Sequence, residues 1–116
     1  MARAATTSDI FNAIAEPRRR QILTLLAPQE RTVGDIAIAL AIEQPSVSKH
    51  LRVLHSTGLV RMRCQGREKY YRTDADALHP LHEWAATFER YWSNHLHRIK
   101  QRAEAAAHTA KRPSNK

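Results

Sequence analysis

The stretch EQPSVSKHLRVLHSTGLV, residues 43–60, contains an apolar face and a polar face within one short segment. Val47, Leu51 and Leu54 recur every three or four residues, which is the spacing of one buried face on an α-helix. The positions between them are mostly polar or basic, and no acid occurs within residues 44–67. The pattern predicts an amphipathic helix whose outer face suits contact with a negatively charged surface.

A second short helix is predicted directly before this one. Thr32 can cap a helix over VGDIAIALA, residues 33–41, whose apolar positions again have helical spacing. A tight connection ending at Glu43 joins the two helices, and Pro45 lies in the first turn of the second, where a missing N–H is tolerated. Two short helices joined this closely, with a polar outer face on the second, form a helix-turn-helix.

The residues that follow this helix alternate between two kinds of side chain. Val60, Met62 and Cys64 alternate with arginines, which predicts a half-buried strand with Cys64 on its buried side. Gln65-Gly66-Arg67 predicts a hairpin turn, and Glu68–Thr73 the returning strand. A helix-turn-helix followed by a basic two-stranded hairpin is a winged helix, with the wing tip at this turn.

Further helices are predicted on both sides of this segment. One covers Asp9–Ala15, and another begins at Pro17, where three successive arginines oppose the helix dipole and should reach an external partner or water. One long helix is predicted from about residue 81 to residue 107. The chain should therefore be mainly α-helical with a two-stranded β-wing, forming a single domain over residues 1–110 and a disordered basic tail over 111–116.

The long last helix carries an apolar stripe along its whole length. Two tryptophans, a phenylalanine and a tyrosine in one row would form a large exposed apolar patch on a compact domain, so the stripe predicts a homodimer. The residues predicted to form the dimer contact are Leu81, Trp84, Phe88, Tyr91, Trp92 and Leu96. The alternative is that the whole stripe packs against its own chain.

Basic charge is concentrated in one part of the sequence. The formal charge is +8, and residues 44–73 hold seven basic side chains against one acid, whereas residues 1–43 are balanced. A basic block across consecutive elements suits nucleic acid, and a basic surface kept for solubility is the alternative. The residues predicted to contact double-stranded DNA are Gln44, Ser46, Ser48, Lys49 and Arg52 on the helix and Arg67 and Lys69 on the wing.

The chemistry of these side chains assigns them different roles. Gln44 can pair bidentately with adenine, and Lys49 or Arg52 can pair with guanine or contact phosphate. The small serines let the helix axis approach the bases closely. Arg67 and Lys69 on the wing would reach backbone phosphate or the minor groove.

Three other arginines and one histidine are expected to act differently. Arg61, Arg63 and Arg72 should shape the electrostatic field rather than read sequence. His50 lies at the edge of the apolar face and is expected to have a packed structural role rather than a base contact.

QPSVSKHLRVLHSTGLVRMRCQGREKYYR, residues 44–72, strongly resembles the recognition helix and wing of ArsR/SmtB-type transcriptional repressors. The likeness runs from FNAIAEPRRRQILTLLA, residues 11–27, through the long last helix. The combination SVSKHLRVL…GLV…GR…YYR is specific, which a lone helix-turn-helix pattern would not be. The resemblance implies a homodimeric winged helix that binds a palindromic operator, usually near its own promoter, and is released by an inducer of unknown identity.

The metal-binding residues of sensing members of that family are not matched in this sequence. The positions of their Cys-x-Cys pair hold Thr32 and Gly34, and Asp76 is not followed by the histidine that a second type of site uses. The resemblance therefore implies the non-metal-sensing branch, and no metal or cofactor is predicted. A metal-responsive repressor with a histidine site between subunits stays open, on the residues His79, His82, His95 and His97.

Other classes of function fit the sequence less well. Paired carboxylates, a nucleophile motif and a phosphate-binding glycine loop are all missing, so an enzyme is not predicted. No apolar run approaches the roughly 18 residues of a membrane span, and the first residues lack a signal-peptide core, so a cytoplasmic protein is expected. The alternative from another class is an architectural protein that coats DNA without reading its sequence.

Overall fold

The computed structural model describes residues 7–114, apart from the side chains of residues 7, 8, 95–97 and 108–114. The chain divides into two compact units, residues 1–82 and residues 83–116. The predicted tail over 111–116 falls outside the described side chains, and its disorder stays a prediction.

Most of the described chain is helical, and its two strands form one antiparallel hairpin. In chain order the elements are α1 Thr7–Ile14, α2 Pro17–Leu26, α3 Val33–Leu40, α4 Gln44–Ser56, β1 Val60–Gln65, β2 Glu68–Thr73, a 3₁₀ turn Ala75–Leu78, α5 His79–Ala86 and α6 Glu89–Ser114. This order of helices followed by a hairpin confirms the predicted fold class, a winged helix-turn-helix with a long C-terminal helix.

One apolar cluster holds the first unit together. Its largest fully buried side chains are Ile22, Leu26, Ile36, Val47, Leu51, Leu54 and Leu59. The three members from α4 are at most 2% exposed, which confirms the buried face predicted for that helix. Truncating a leucine at such a site to alanine typically costs about 2–5 kcal/mol. The cluster therefore fixes how α4 is rotated about its own axis.

The turn between α3 and α4 begins with a left-handed residue. Ala41 has φ 54° and ψ 47°, a conformation that a residue with a Cβ seldom adopts. The turn is closed by hydrogen bonds in which Ala41 N–H donates to Ile38 O at 3.3 Å and Ile42 N–H donates to Ala37 O at 3.0 Å. At the other end of α3, Thr32 Oγ1 accepts from Asp35 N–H at 3.1 Å, as predicted.

The wing is attached to the helices at its base. Its register pairs Val60 with Thr73 at the base and Gln65 with Glu68 at the tip. Two backbone hydrogen bonds, of 2.9 and 3.0 Å, join Tyr71 to Arg31 in the connection before α3. Thr73 Oγ1 donates to Leu23 O in α2 at 2.7 Å. These contacts hold the base of the hairpin, whereas the side chains at its tip, residues 65–68, are exposed.

The prediction that Met62 and Cys64 lie on a buried side of β1 is wrong. Of the residues in β1 only Val60 is buried, while Met62 is 37% exposed and Cys64 is exposed. Alternation along a strand shows which residues share a face, but burial also needs a layer of protein over that face. In this hairpin the helices cover only the base.

Two of the arginines at the start of α2 bind the preceding helix rather than an external partner, although Arg20 is also exposed to water as expected. Arg19 Nη2 donates to Asn12 O at 3.1 Å, and its Nε donates to Ala13 O. Arg20 Nη1 donates to Ile14 O at 2.8 Å. These carbonyls end α1, where cations are favoured by the helix dipole. Arg19 and Arg20 therefore cap the C-terminus of α1, although they belong to the first turn of α2.

The single long C-terminal helix predicted from residue 81 is interrupted. Helix α5 already begins at His79, and it ends before Thr87 and Phe88, after which α6 begins. Thr87 Oγ1 donates to Trp84 O at 2.7 Å, and Phe88 N–H donates to Ala85 O at 3.0 Å. A threonine hydroxyl that competes for a helix carbonyl, together with these short-range bonds, ends the helix locally.

We predict that replacing Ala41 with glycine stabilises the fold by about 0.5–1 kcal/mol. Glycine removes the Cβ penalty of the left-handed conformation, and its larger entropy in the unfolded chain offsets part of that gain. The measurement is urea unfolding followed by circular dichroism. The matched control is Ala39→Gly within exposed helix, which should lose about 1 kcal/mol. An Ala41→Gly variant destabilised as much as this control would contradict the prediction.

Candidate nucleic-acid interface

The outer face of α4 carries the five side chains that the sequence predicted for it. Gln44, Ser48, Lys49 and Arg52 are exposed, and Ser46 is half-buried. No acidic side chain occurs anywhere in this helix, all of which is described. The helix therefore presents hydrogen-bond donors and positive charge without a compensating carboxylate.

These five residues do not share one line along the helix. At about 100° per residue, Gln44, Ser48 and Arg52 form a row on one flank, and Lys49 lies nearest the crest opposite the core. Ser46 falls on the other flank, where it is half-buried. Lys49 is consequently the side chain that projects furthest from the body of the protein.

The row on the first flank faces the wing across two open grooves. The first, named here the α4–wing groove, has a volume of about 330 Å³, and Ser48, Arg52 and Lys69 contribute to its lining. The second, of about 470 Å³, brings Gln44 together with Arg67 and Lys69 near the start of α4. Five of the seven predicted DNA contacts thus line the space between recognition helix and wing, and Lys49 and Ser46 lie outside it.

The two faces of the wing carry different side chains. The strand register places Met62 opposite Tyr71 and Cys64 opposite Lys69 on what we call the inner face. Met62, Tyr71 and Lys69 line the α4–wing groove, so the inner face is turned toward α4. The outer face carries the remaining cross-strand pairs, in which Arg61 faces Arg72, Arg63 faces Tyr70 and Gln65 faces Glu68.

Two arginines of the outer face are engaged within the protein. Arg63 Nε donates to the Glu30 carboxylate at 2.8 and 2.9 Å, and its guanidinium lies 4.6 Å from the centre of the Tyr70 ring. Arg61 Nε lies 3.1 Å from Asp74 Oδ2. The hydrogen bond from Arg63 lowers the pKa of Glu30 below its usual value and raises that of Arg63. These pairs reduce the positive field on this face, and the field role expected for its arginines stays a prediction.

His50 lies beside the start of α2 and is half-buried. Burial lowers the pKa of His50, and the charge of Arg19 lowers it further, while Glu16 acts in the opposite direction and Arg18 adds a smaller lowering. The neutral imidazole is therefore the form that suits the fold. This environment agrees with the packed role expected for His50.

His55 is a candidate that the sequence analysis missed. Its side chain is exposed and lines the α4–wing groove beside Arg52 and Ser48. The spacing contained the signal, because His55 follows Arg52 by three residues and Ser48 by seven, which places all three on one helix face. The approach of Lys69 from the wing could not be read from that spacing.

The predicted dimer residues are mostly exposed aromatic side chains. Trp84, Phe88, Tyr91 and Trp92 are 56%, 40%, 57% and 50% exposed. The rings of Trp84 and Phe88 meet edge to face with centroids 5.3 Å apart. Leu81 differs, because it is half-buried against the core of the first unit. The side chain of Leu96 lies outside the described residues.

The metal question depends on histidines that are only partly described. Within the described residues, no group of three or more histidine, cysteine and acidic side chains is placed to hold a metal ion. The rings of His79 and His82 lie 6.0 Å apart. The side chains of His95 and His97 lie outside the described part, so a site between subunits is not tested. No helix in the range that the structure covers combines the length and apolar character of a bilayer span.

This architecture is that of a winged helix-turn-helix regulator. The sequence model described as "Bacterial regulatory protein, arsR family" matches residues 16–62, from the start of α2 into β1. The chain is also 34% identical over 89 residues to the transcriptional repressor SdpR of Bacillus subtilis (strain 168), an alignment covering 77% of this chain and 99% of that protein. The chain belongs to the arsR family, which confirms the resemblance found in the sequence.

Solved structures agree with this assignment. An ArsR-like transcriptional regulator from Rhodococcus sp. RHA1 superposes with a TM-score of 0.66 at 30% identity, over 84% of this chain and 90% of that one. Mb0332 from Mycobacterium bovis, described as a homodimeric winged helix-turn-helix DNA-binding domain, gives a TM-score of 0.60 at 38% identity, over 70% and 78% of the two chains.

We predict that His50 makes the stability of the fold depend on pH. Because its pKa is lowered in the fold, the unfolded state binds the proton more readily, so stability falls as the pH drops below about 6.5. Urea unfolding at several pH values between about 5 and 8 measures this loss. The His50→Gln variant should lose less stability across that range than the wild type. His55→Gln, at an exposed site, is the control and should behave as wild type; an unchanged pH profile in His50→Gln would contradict the assignment.

Proposed function

We propose that this protein is a sequence-specific transcriptional repressor that binds a palindromic operator in double-stranded DNA as a homodimer, in the bacterial cytoplasm. The observation that carries this proposal is the acid-free outer face of α4 beside Arg67 and Lys69 of the wing. Donors and positive charge on two adjacent projecting elements fit the edges and backbone of duplex DNA. The repressor named among its relatives supports the same class of function.

The exposure of the α4 side chains and their positions around the helix suggest which of them contact bases and which contact the backbone. Lys49 projects furthest and is proposed to reach guanine or phosphate, and Gln44 at the helix start is proposed to pair with adenine. Ser46 and Ser48 keep the helix close to the bases. Arg67 and Lys69 at the end of the wing are proposed to contact phosphate or the minor groove.

The exposed aromatic residues of α5 and α6 support the homodimer. Four large rings that are each at least 40% exposed form a patch of the kind that marks a protein contact. The related Mb0332 domain is described as homodimeric. Two copies related by a two-fold axis would present two α4 helices to an inverted repeat, with half-site centres about one helical turn, roughly 34 Å, or a multiple of it apart.

Genome-wide binding in the native host, repeated with and without added zinc, tests this function. A repressor of this kind should occupy a small number of sites that share an inverted repeat, and a site near its own promoter would indicate autoregulation. Uniform occupancy that follows DNA accessibility would instead indicate an architectural protein. A loss of occupancy with zinc would support the alternative of a metal-responsive repressor.

We predict that Lys49→Ala weakens binding to the operator by about 1–3 kcal/mol if Lys49 contacts a base edge. The measurement is titration of labelled operator and of a scrambled duplex at the same salt concentration. Affinity for the scrambled duplex should change much less. Equal losses on both duplexes would show that Lys49 contacts only phosphate.

We predict that Trp92→Ala weakens the dimer, because it removes a large, half-exposed ring from the proposed contact. Sedimentation velocity over a range of concentrations should show dissociation at a higher concentration than for wild type. Gln101→Ala, at an exposed site on the opposite face of α6, is the matched control. A Trp92→Ala protein that dimerises like the control would place this ring outside the contact.

A further inference from the structure

The α4–wing groove has a lining of two chemical kinds. Its floor is formed by the apolar or aromatic side chains of Leu51, Met62 and Tyr71. Its walls carry the donors Ser48, Arg52 and His55 from α4 and Lys69 from the wing. Apolar surface and hydrogen-bond donors therefore lie side by side within one short groove.

The charge of this groove is of one sign. None of the described residues that line it is acidic, although Arg52 and Lys69 approach from opposite walls. The groove of about 520 Å³ on the other side of the wing provides the contrast, because its arginines stand beside Glu30, Asp74 and Asp76. A polyanion is thus attracted to the inner side of the wing and has no comparable reason to bind the outer side.

The concave shape of the groove indicates which part of duplex DNA it can bind, the base edges or the sugar–phosphate backbone. Base edges lie at the floor of the DNA grooves, so a projecting element such as the crest of α4 reaches them. A sugar–phosphate strand is instead a ridge at the outside of the duplex, and a ridge fits a concave groove. Its phosphates need donors and its deoxyribose rings can lie on apolar surface, which matches the walls and floor described.

We infer that the α4–wing groove seats one sugar–phosphate strand of duplex DNA and that His55 is one of its phosphate-contacting residues. This inference rests on the proposed DNA-binding function and adds His55 to the contacts. It also assigns Arg52 to phosphate rather than to guanine. Lys49, which lies outside the groove, keeps the role of reading base edges.

The surroundings of His55 favour an anion. The charged side chains that line the groove with it are Arg52 on α4 and Lys69 on the wing. Glu68, the neighbour of Lys69 in β2, lines the second groove near the start of α4 instead. A phosphate that enters between Arg52 and Lys69 can accept a hydrogen bond from the imidazole of His55.

The test compares His55→Ala with wild type on operator and scrambled duplexes over a series of salt concentrations. We expect roughly tenfold weaker binding to both duplexes, as for the loss of one hydrogen bond to a charged group. Arg52→Gln should also weaken binding to both duplexes equally. Because this variant removes a positive charge, its slope of log affinity against log salt should fall by about 0.9, the value for one phosphate contact.

Two controls separate this site from its surroundings. Ser56→Ala changes the next residue of α4, which is exposed and does not line the groove, and should bind like wild type. His50→Gln changes a histidine of the same helix that does not line the groove, and it should also bind like wild type. Circular dichroism establishes that each variant is folded.

The inference is overturned if His55→Ala binds both duplexes like wild type, or if it loses affinity for the operator alone. The second result would make His55 a reader of bases. Failure of the proposed function is a separate result, in which wild-type protein prefers no sequence of its host over the scrambled duplex. In that case, binding of the variants to the scrambled duplex alone would still test whether His55 contacts a phosphate.

Discussion

The packing of three side chains from α4 into the apolar cluster is the constraint on which the rest of the site depends. Val47, Leu51 and Leu54 are almost completely buried, so α4 cannot rotate about its axis without exposing them. That rotation decides which side chains face outward: Lys49 at the crest and the row containing Ser48 and Arg52 toward the wing. The surface proposed to bind DNA is therefore specified from inside the protein, by buried residues.

The wing contributes in a similar way, since its base is fixed by hydrogen bonds while the side chains at its tip are exposed. Backbone pairing of Tyr71 with Arg31, and the hydrogen bond from Thr73 to Leu23, set the direction in which the hairpin leaves the body. Strand pleating then divides its side chains between two faces. Those facing α4 complete a groove, while Arg63 on the other face is held by Glu30.

The fold and most of the candidate site could be predicted from local pattern. Helical spacing in α3 and α4, strand alternation and the turn at Gly66 act over a few residues, and the structure agrees with each. Most of what failed depended on distant partners. The exposure of Cys64 reflects how far the helices extend over the hairpin, and the capping by Arg19 and Arg20 needs the end of α1 beside them. The role proposed for His55 arises only because the wing lies opposite it. The break between α5 and α6 is the exception, because local hydrogen bonds of Thr87 and Phe88 end the helix there.

The ion pairs on the outer face of the wing make the two faces of this hairpin electrostatically different. On the outer face Glu30 and Asp74 offset two guanidinium groups, whereas no carboxylate lines the groove on the inner face within the described chain. A duplex drifting past would experience a torque before any atom touches, because the field falls off differently on the two sides. More encounters would then begin with the inner face of the wing toward the DNA. Association would be faster than for a protein with a uniformly basic surface of the same total charge.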